Sequence, residues 1–172
     1  AKRKRSGSNR SRLPNSRILF ANRSAYPAIE LLSGNSNSDL AKGVGQMLGL
    51  EVDWPIHNRF SNNQMRVRIQ KPLHRREAVI IQSTVTDTDI LELQFMLAAA
   101  RRASAEEITA IIPYYSYAQS DRKTAPGEII GAADLAGIFE HLGAKRLVTI
   151  DPHYDQIQGT THNPFDILFS SY

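Results

Sequence analysis

The sequence predicts an α/β domain built on a mainly parallel sheet flanked by helices, and three observations lead there. From about residue 26 onward, short apolar runs alternate with stretches of helical periodicity. The periodic stretches are long enough to cross a sheet and return, the spacing of βαβ units. Glycines stand where those stretches stop, at Gly49 and Gly143.

The first run, "AIELLSGNS", reads as a strand ending in a Ser-Gly-Asn turn. "NSDLAKGVGQMLG" then places Leu40, Val44, Met47 and Leu48 on one helical face, with Ser38 as N-cap and Gly49 closing it. "EVDWPI" and "MRVRIQ" are expected strands, the second alternating in a half-buried manner. "AVIIQST" is a buried strand running into a polar loop. "DILELQFMLAAARRAS" is a helix offering Leu91, Leu93, Met96, Leu97 and Ala100 to the core. "EITAIIP" adds a strand, "IIGAADLAGIFEHLGAKR" a second amphipathic helix, and "LVTIDPH" the strand that closes the series. No internal repeat is present.

The 172 residues suit one domain, and 41% hydrophobic with 22% charged residues is ordinary for a globular chain. No apolar run approaches the ~20 residues of a membrane-spanning helix, so a soluble protein is expected. Cysteine is absent, which excludes disulfides, thiolate metal sites and cysteine nucleophiles.

Charge is distributed unevenly. Lys2, Arg3, Lys4, Arg5, Arg10, Arg12, Arg17 and Arg23 fall in the first 23 residues, with no acid among them. The remainder carries 13 basic against 17 acidic residues. A basic arm over 1–25 and an acidic domain over 26–172 are therefore expected. The arm is rich in Arg, Ser and Asn and lacks an apolar moment. It reads as a solvated tail, as a phosphate-neutralising arm for RNA or an anionic membrane surface, or as a remnant of an organelle-targeting segment. The last reading would put the protein in an organelle matrix (mitochondrion or plastid), the others equally in the cytoplasm.

Ligands of open α/β sheets sit at the carboxyl ends of strands, which singles out the loops after Ser33, Ile112 and Ile150. The second offers Tyr114, Tyr115, Tyr117, Asp121, Arg122 and Lys123, either a base-and-phosphate loop or a solvated turn. The third carries Asp151, His153 and Asp155 at alternating positions, a set that suits Mg²⁺ or phosphate but also recurs by chance. His57, His74, His141 and His162 are expected at the surface, and Phe60, on composition alone, in the core. No Walker or dinucleotide glycine loop exists.

Taken in order, "LLSGNSNSDLAKGVGQMLGL", "RFSNNQMRVRI", "VIIQST", "ILELQFMLAAARRASAEEITAIIPYYSYAQSDRK", "EIIGAADLAGIFEHLGAKRLVTIDPHYDQIQG" and "NPFDIL" resemble ribose-phosphate pyrophosphokinase, collinearly from about Ala28 to Leu168. The resemblance implies a phosphoribosyltransferase type I-like domain. It implies transfer of the diphosphoryl group of ATP to ribose 5-phosphate with Mg²⁺, by two-domain subunits assembled through dimers. By the same resemblance Phe60, Asn62 and Gln64 lie in a loop reaching a neighbour's adenine. Gln119, Ser120 and Asp121 take the ATP-holding positions, His153 the metal- and phosphate-side histidine, and Asp166 a further nucleotide-contacting acid.

The departures from the family pattern fall on those residues. The family turn Y-A-R-Q-D is here Tyr117-Ala118-Gln119-Ser120-Asp121, so an arginine is replaced by glutamine. Gln64 stands for the glutamate of F-S-x-x-E, and "PLHRR" for a phosphate-sensing S-V-R-G, with Pro72 and His74 at its Ser and Arg positions. The loop after Ser83 is about two residues short. The sequence ends near where the second domain of the family would begin. The expectation is a non-catalytic relative, structural or regulatory within a larger assembly, its arm contacting RNA. The alternative is part of an active synthetase, with Mg-ATP at the old site and homologous subunits as partners.

Overall fold

The computed structural model describes residues 28–152, 155–159 and 161–170. The basic arm, with Lys2 to Arg17 and Arg23, lies outside the described residues, as does His153. Eleven elements follow in chain order: β1 (Ala28–Ser33), α1 (Ser38–Leu48), β2 (Val52–Asp53), β3 (Ile56–Arg59), β4 (Met65–Arg68), β5 (Arg76–Ile81), α2 (Asp87–Arg102), β6 (Glu107–Ile112), α3 (Gly131–Leu142), β7 (Arg146–Ile150) and β8 (Phe165–Leu168).

Six strands form one sheet in the order β2-β1-β5-β6-β7-β8, every pairing parallel. The chain leaves β1 to one side for β2 and returns to β1's other side with β5. The order therefore reverses at β1 and β5, where such sheets open a crevice at their carboxyl ends. Strands β3 and β4 stand apart as an antiparallel hairpin in register Ile56↔Arg68 to Arg59↔Met65. This hairpin splits "EVDWPI" into two strands, since Pro55 cannot donate to a ladder. Strand β8 extends the series beyond "LVTIDPH".

Helix α2 begins with a reciprocal capping box. The Asp89 amide donates to Thr86 Oγ1 at 3.2 Å, and the Thr86 amide to Asp89 Oδ2 at 2.8 Å. Its acids Asp87 and Asp89 sit in the first turn and Arg101 and Arg102 in the last, which complements the helix dipole. Leu93, Met96, Leu97 and Ala100 are fully buried at helical spacing, as the periodicity predicts. Leu91 is not: it is exposed, and its neighbour Glu92 turns inward at 2% exposure. The core runs from this face across the sheet to Phe139 of α3, with Tyr115 packed edge-on against Phe139 and Phe165. Burying a ring such as Phe139 contributes about 1.5–3 kcal/mol.

Helix α1 departs most from its predicted face. Ala41 and Gly45 are buried, whereas Leu40 and Leu48 are largely exposed and Met47 is 82% exposed. Gly45 permits this rotation, because a Cβ there would lie 2.7 Å from Val52 Cγ2 and 2.9 Å from the Leu50 carbonyl. Ala41 and Gly45 thus face the sheet together with the half-buried Val44, which packs against the Leu31, Ala41 and Ile81 cluster, whereas Leu40, Met47 and Leu48 do not. Asn37, rather than Ser38, occupies the N-cap, because a 3-10 turn at Asn35–Asn37 leads directly into the helix. Gly49 closes α1 at φ +67°, and Gly143 closes α3 at φ +118°.

Candidate functional site

A cleft of about 460 Å³ opens at the carboxyl ends of β6 and β7, lined by Tyr114, Tyr115, Tyr117, Ala118, Gln119, Ser120, Ile150, Asp151 and Pro152. The β5 loop holds its first wall in place. The Tyr114 amide donates to Ser83 Oγ at 3.1 Å, Thr84 Oγ1 donates to the Tyr114 carbonyl at 3.2 Å, and the Ser116 amide donates to Thr84 Oγ1 at 2.9 Å. Tyr115 points inward, donating its hydroxyl to the Ala132 carbonyl at 2.9 Å, and burial pushes that phenol well above the usual range. It therefore serves as a fixed floor of the cleft. Tyr114 and Tyr117 remain exposed as aromatic walls.

Two of the lining residues have left-handed backbones, Tyr117 at φ +60° and Asp151 at φ +43°. Such conformations cost roughly 1–3 kcal/mol each in residues other than glycine, and they concentrate at functional sites. Ser120 stitches the Tyr117 turn to the start of α3. Its Oγ accepts from the Gly131 amide at 3.1 Å, and its carbonyl accepts from the Ala132 amide at 3.1 Å. A Cβ at position 131 would lie 3.1 Å from Tyr117 Cδ1 and 3.2 Å from Ser120 Cβ, so glycine allows this close approach.

Among the described residues, Asp151 is the one carboxylate in the lining. It accepts from the Ser170 amide at 3.1 Å and from the Ser170 hydroxyl, and these bonds hold its pKa below the ordinary aspartate value. Among the described residues no three acids or histidines converge as a metal site.

The residues singled out by sequence are not gathered in one place. Gln119 and Ser120 line the cleft, and Asp121 follows directly, half-buried. Arg122 and Lys123 are exposed beyond it, where the loop folds on itself through Glu128. The Thr124 hydroxyl and amide and the Ala125 amide donate to that carboxylate and hold its pKa low. Asp166 sits on β8, its Oδ2 accepting from Arg146 at 2.8 Å, away from the cleft lining. Phe60, Asn62 and Gln64 occupy the tip of the β3–β4 hairpin, also outside that lining. Phe60 is 52% exposed, so the expectation of a core ring is corrected: a two-stranded hairpin tip has no second layer to bury it.

A second constellation was missed at the sequence level. At the β1/β5 crevice the buried Gln82 donates its Nε2 to Glu92 Oε2 at 3.1 Å, and its Oε1 accepts from Ser36 Oγ at 2.7 Å and the Ser36 amide at 3.1 Å. Glu92 Oε1 accepts from the Asn35 amide at 2.9 Å and lies 3.0 Å from His57 Nδ1. His57 is thus enclosed rather than at the surface, and burial lowers its pKa against the opposing pull of Glu92. A charged residue flanked by Leu91 and Leu93 within an apolar helix pattern was the available signal. The crevice is filled by the chain's own polar groups, whereas the β6/β7 cleft is open among the described residues.

No helix among the described residues is long and apolar enough to cross a membrane. The family profile for the N-terminal domain of ribose phosphate pyrophosphokinase matches residues 29–143. The ribose-phosphate pyrophosphokinase of Synechococcus elongatus is 39% identical over 145 residues, covering 83% of this chain and 44% of that protein. That of Clostridium tetani is 40% identical over 143 residues, covering 82% and 45%. The crystal structure of phosphoribosylpyrophosphate synthetase from Mycobacterium smegmatis superposes with a TM-score of 0.77 at 31% identity, covering 83% of this chain and 48% of that one. The chain spans about half the length of these relatives. With its parallel six-stranded sheet of the phosphoribosyltransferase type and its collinear motifs, the chain belongs to the ribose-phosphate pyrophosphokinase family, in the region of the N-terminal domain.

Proposed function

We propose that this chain is a non-catalytic member of its family, a structural or regulatory subunit whose basic arm contacts RNA and whose partners are homologous subunits or a larger complex. The observation that carries the reading is the lack of a cation in the cleft: among the described residues no Lys or Arg lines it, and Asp151 there is a carboxylate. Diphosphoryl transfer depends on cations placed against the migrating group. At the position where the resemblance expects arginine, Gln119 brings neither charge nor a guanidinium fork. Ser120 adds to this by occupying the first amides of α3, donors that would otherwise face an anion.

Calorimetric titration of the full chain with Mg-ATP tests the reading. The expected result is no micromolar binding, with Gln119→Arg gaining about tenfold in affinity from a restored charge-assisted contact. Micromolar binding by the unaltered chain would overturn it. The chain would then read as the nucleotide-binding part of an active enzyme making phosphoribosyl pyrophosphate and AMP.

A further inference from the structure

The cleft at the carboxyl ends of β6 and β7 lacks a lining cation among the described residues, and the groups it does hold favour one. Tyr114 is 58% exposed and Tyr117 47%, so two tyrosine rings stand at the opening rather than in the core. The face of such a ring carries negative potential and attracts cations. Asp151 adds a full negative charge to the same lining, and its lowered pKa keeps it ionised near neutral pH. Ser170 fixes that carboxylate without exhausting it. The Ser170 amide donates to Oδ1 at 3.1 Å and to Oδ2 at 3.2 Å, and the hydroxyl donates to Oδ2, so Oδ1 keeps acceptor capacity. Ala118, Ile150 and Pro152 line the rest with apolar surface, which suits the methylene stem of a long basic side chain. The left-handed backbones of Tyr117 and Asp151 thus fall on the two kinds of group that would meet a cation.

We propose that the cleft binds an arginine side chain of a polypeptide, its guanidinium laid on the tyrosine faces and bonded to Asp151. Arginine fits better than lysine, because its planar fork both stacks on a ring and bonds a carboxylate. A phosphate group would meet Asp151 with no lining cation among the described residues to offset the repulsion. Such an arginine has two sources, another protein or this chain's own arm, whose first 23 residues hold six arginines. The inference rests on the reading of the cleft as one without a lining cation. Titration with Mg-ATP decides that reading, and peptide binding decides this one.

Fluorescence anisotropy of the full chain with a labelled peptide of alternating glycine and arginine tests it. The same titration on a full-length variant, with the arm's Lys and Arg changed to Gln, separates the two sources. Binding by both chains assigns the site to another protein's arginine, and binding by the silenced chain alone assigns it to the arm. A citrulline peptide, which keeps the shape without the charge, is expected to bind about tenfold more weakly. Asp151→Asn keeps an acceptor for Ser170 and tolerates the left-handed backbone, and is expected to weaken binding about tenfold. Tyr114→Leu should weaken it about threefold. Glu106→Gln, at an exposed acid beside the amino end of β6, should leave the affinity unchanged. Unchanged thermal unfolding of each variant checks that the fold is intact. No binding by either chain would overturn the proposal. So would equal losses in Asp151→Asn and Glu106→Gln, which would mark attraction to overall charge rather than to the cleft.

Discussion

Two loops leave the carboxyl edge of the same sheet, after β1 and after β6, and they use that position in opposite ways. At the β1/β5 crevice, Glu92 and Gln82 point inward from α2 and β5, and Asn35, Ser36 and His57 close over them. At the β6/β7 cleft the polar groups are bonded sideways, Ser120 to α3 and Asp151 to Ser170, which leaves tyrosine rings around open space. A ligand position built into the topology can thus be filled by the chain itself or left open. Side chains reaching in from neighbouring elements decide which.

The largest effect should come from breaking the filled crevice. Glu92→Ala removes the acceptor for the Asn35 amide and the Gln82 side chain and is expected to cost about 3 kcal/mol or more, read from denaturant unfolding. Glu92→Gln, which keeps an acceptor, should cost clearly less. Gly34→Ala follows. Its Cβ would lie 2.2 Å from Gln82 Oε1, so Gln82 must leave its Ser36 bonds, at roughly 1–3 kcal/mol.

The pH dependence of His57 is a smaller effect. Its pKa is lowered in the fold, so as pH falls below the ordinary value of 6.5 the unfolded chain takes up the proton first. Stability should therefore decline with falling pH from 6.5 until the folded pKa is passed, and denaturant midpoints across that window should flatten in His57→Gln. Smallest of all, Gln119→Arg in the open cleft should change stability by no more than about 0.5 kcal/mol, because its exposed side chain supports nothing else. A large loss there would erase the contrast between the two loops.

The alternation of apolar runs and helical periods carried the α/β class, and α2 was legible because a long helix repeats its pattern over several turns. Short elements were less so. The hairpin hid within what read as two sheet strands, and β8 has only four residues to signal itself. Helix α1 was misread in rotation, since periodicity ranks faces by hydrophobicity while the sheet selected Ala41 and Gly45 by size.

For the site, sequence placed Gln119 and Ser120 on a loop at a strand end, and their departure from the family turn is visible in the letters alone. By itself the sequence determined the fold class, the order of the motifs and the glutamine at position 119, because each is a local pattern of residue types. Only the tertiary structure decided that Glu92 and His57 meet and that Phe60 stands in solvent beside Arg66. It alone also directed Ser120 into the start of α3. These outcomes depend on which elements pack side by side and on the space left between them, and no local pattern records that.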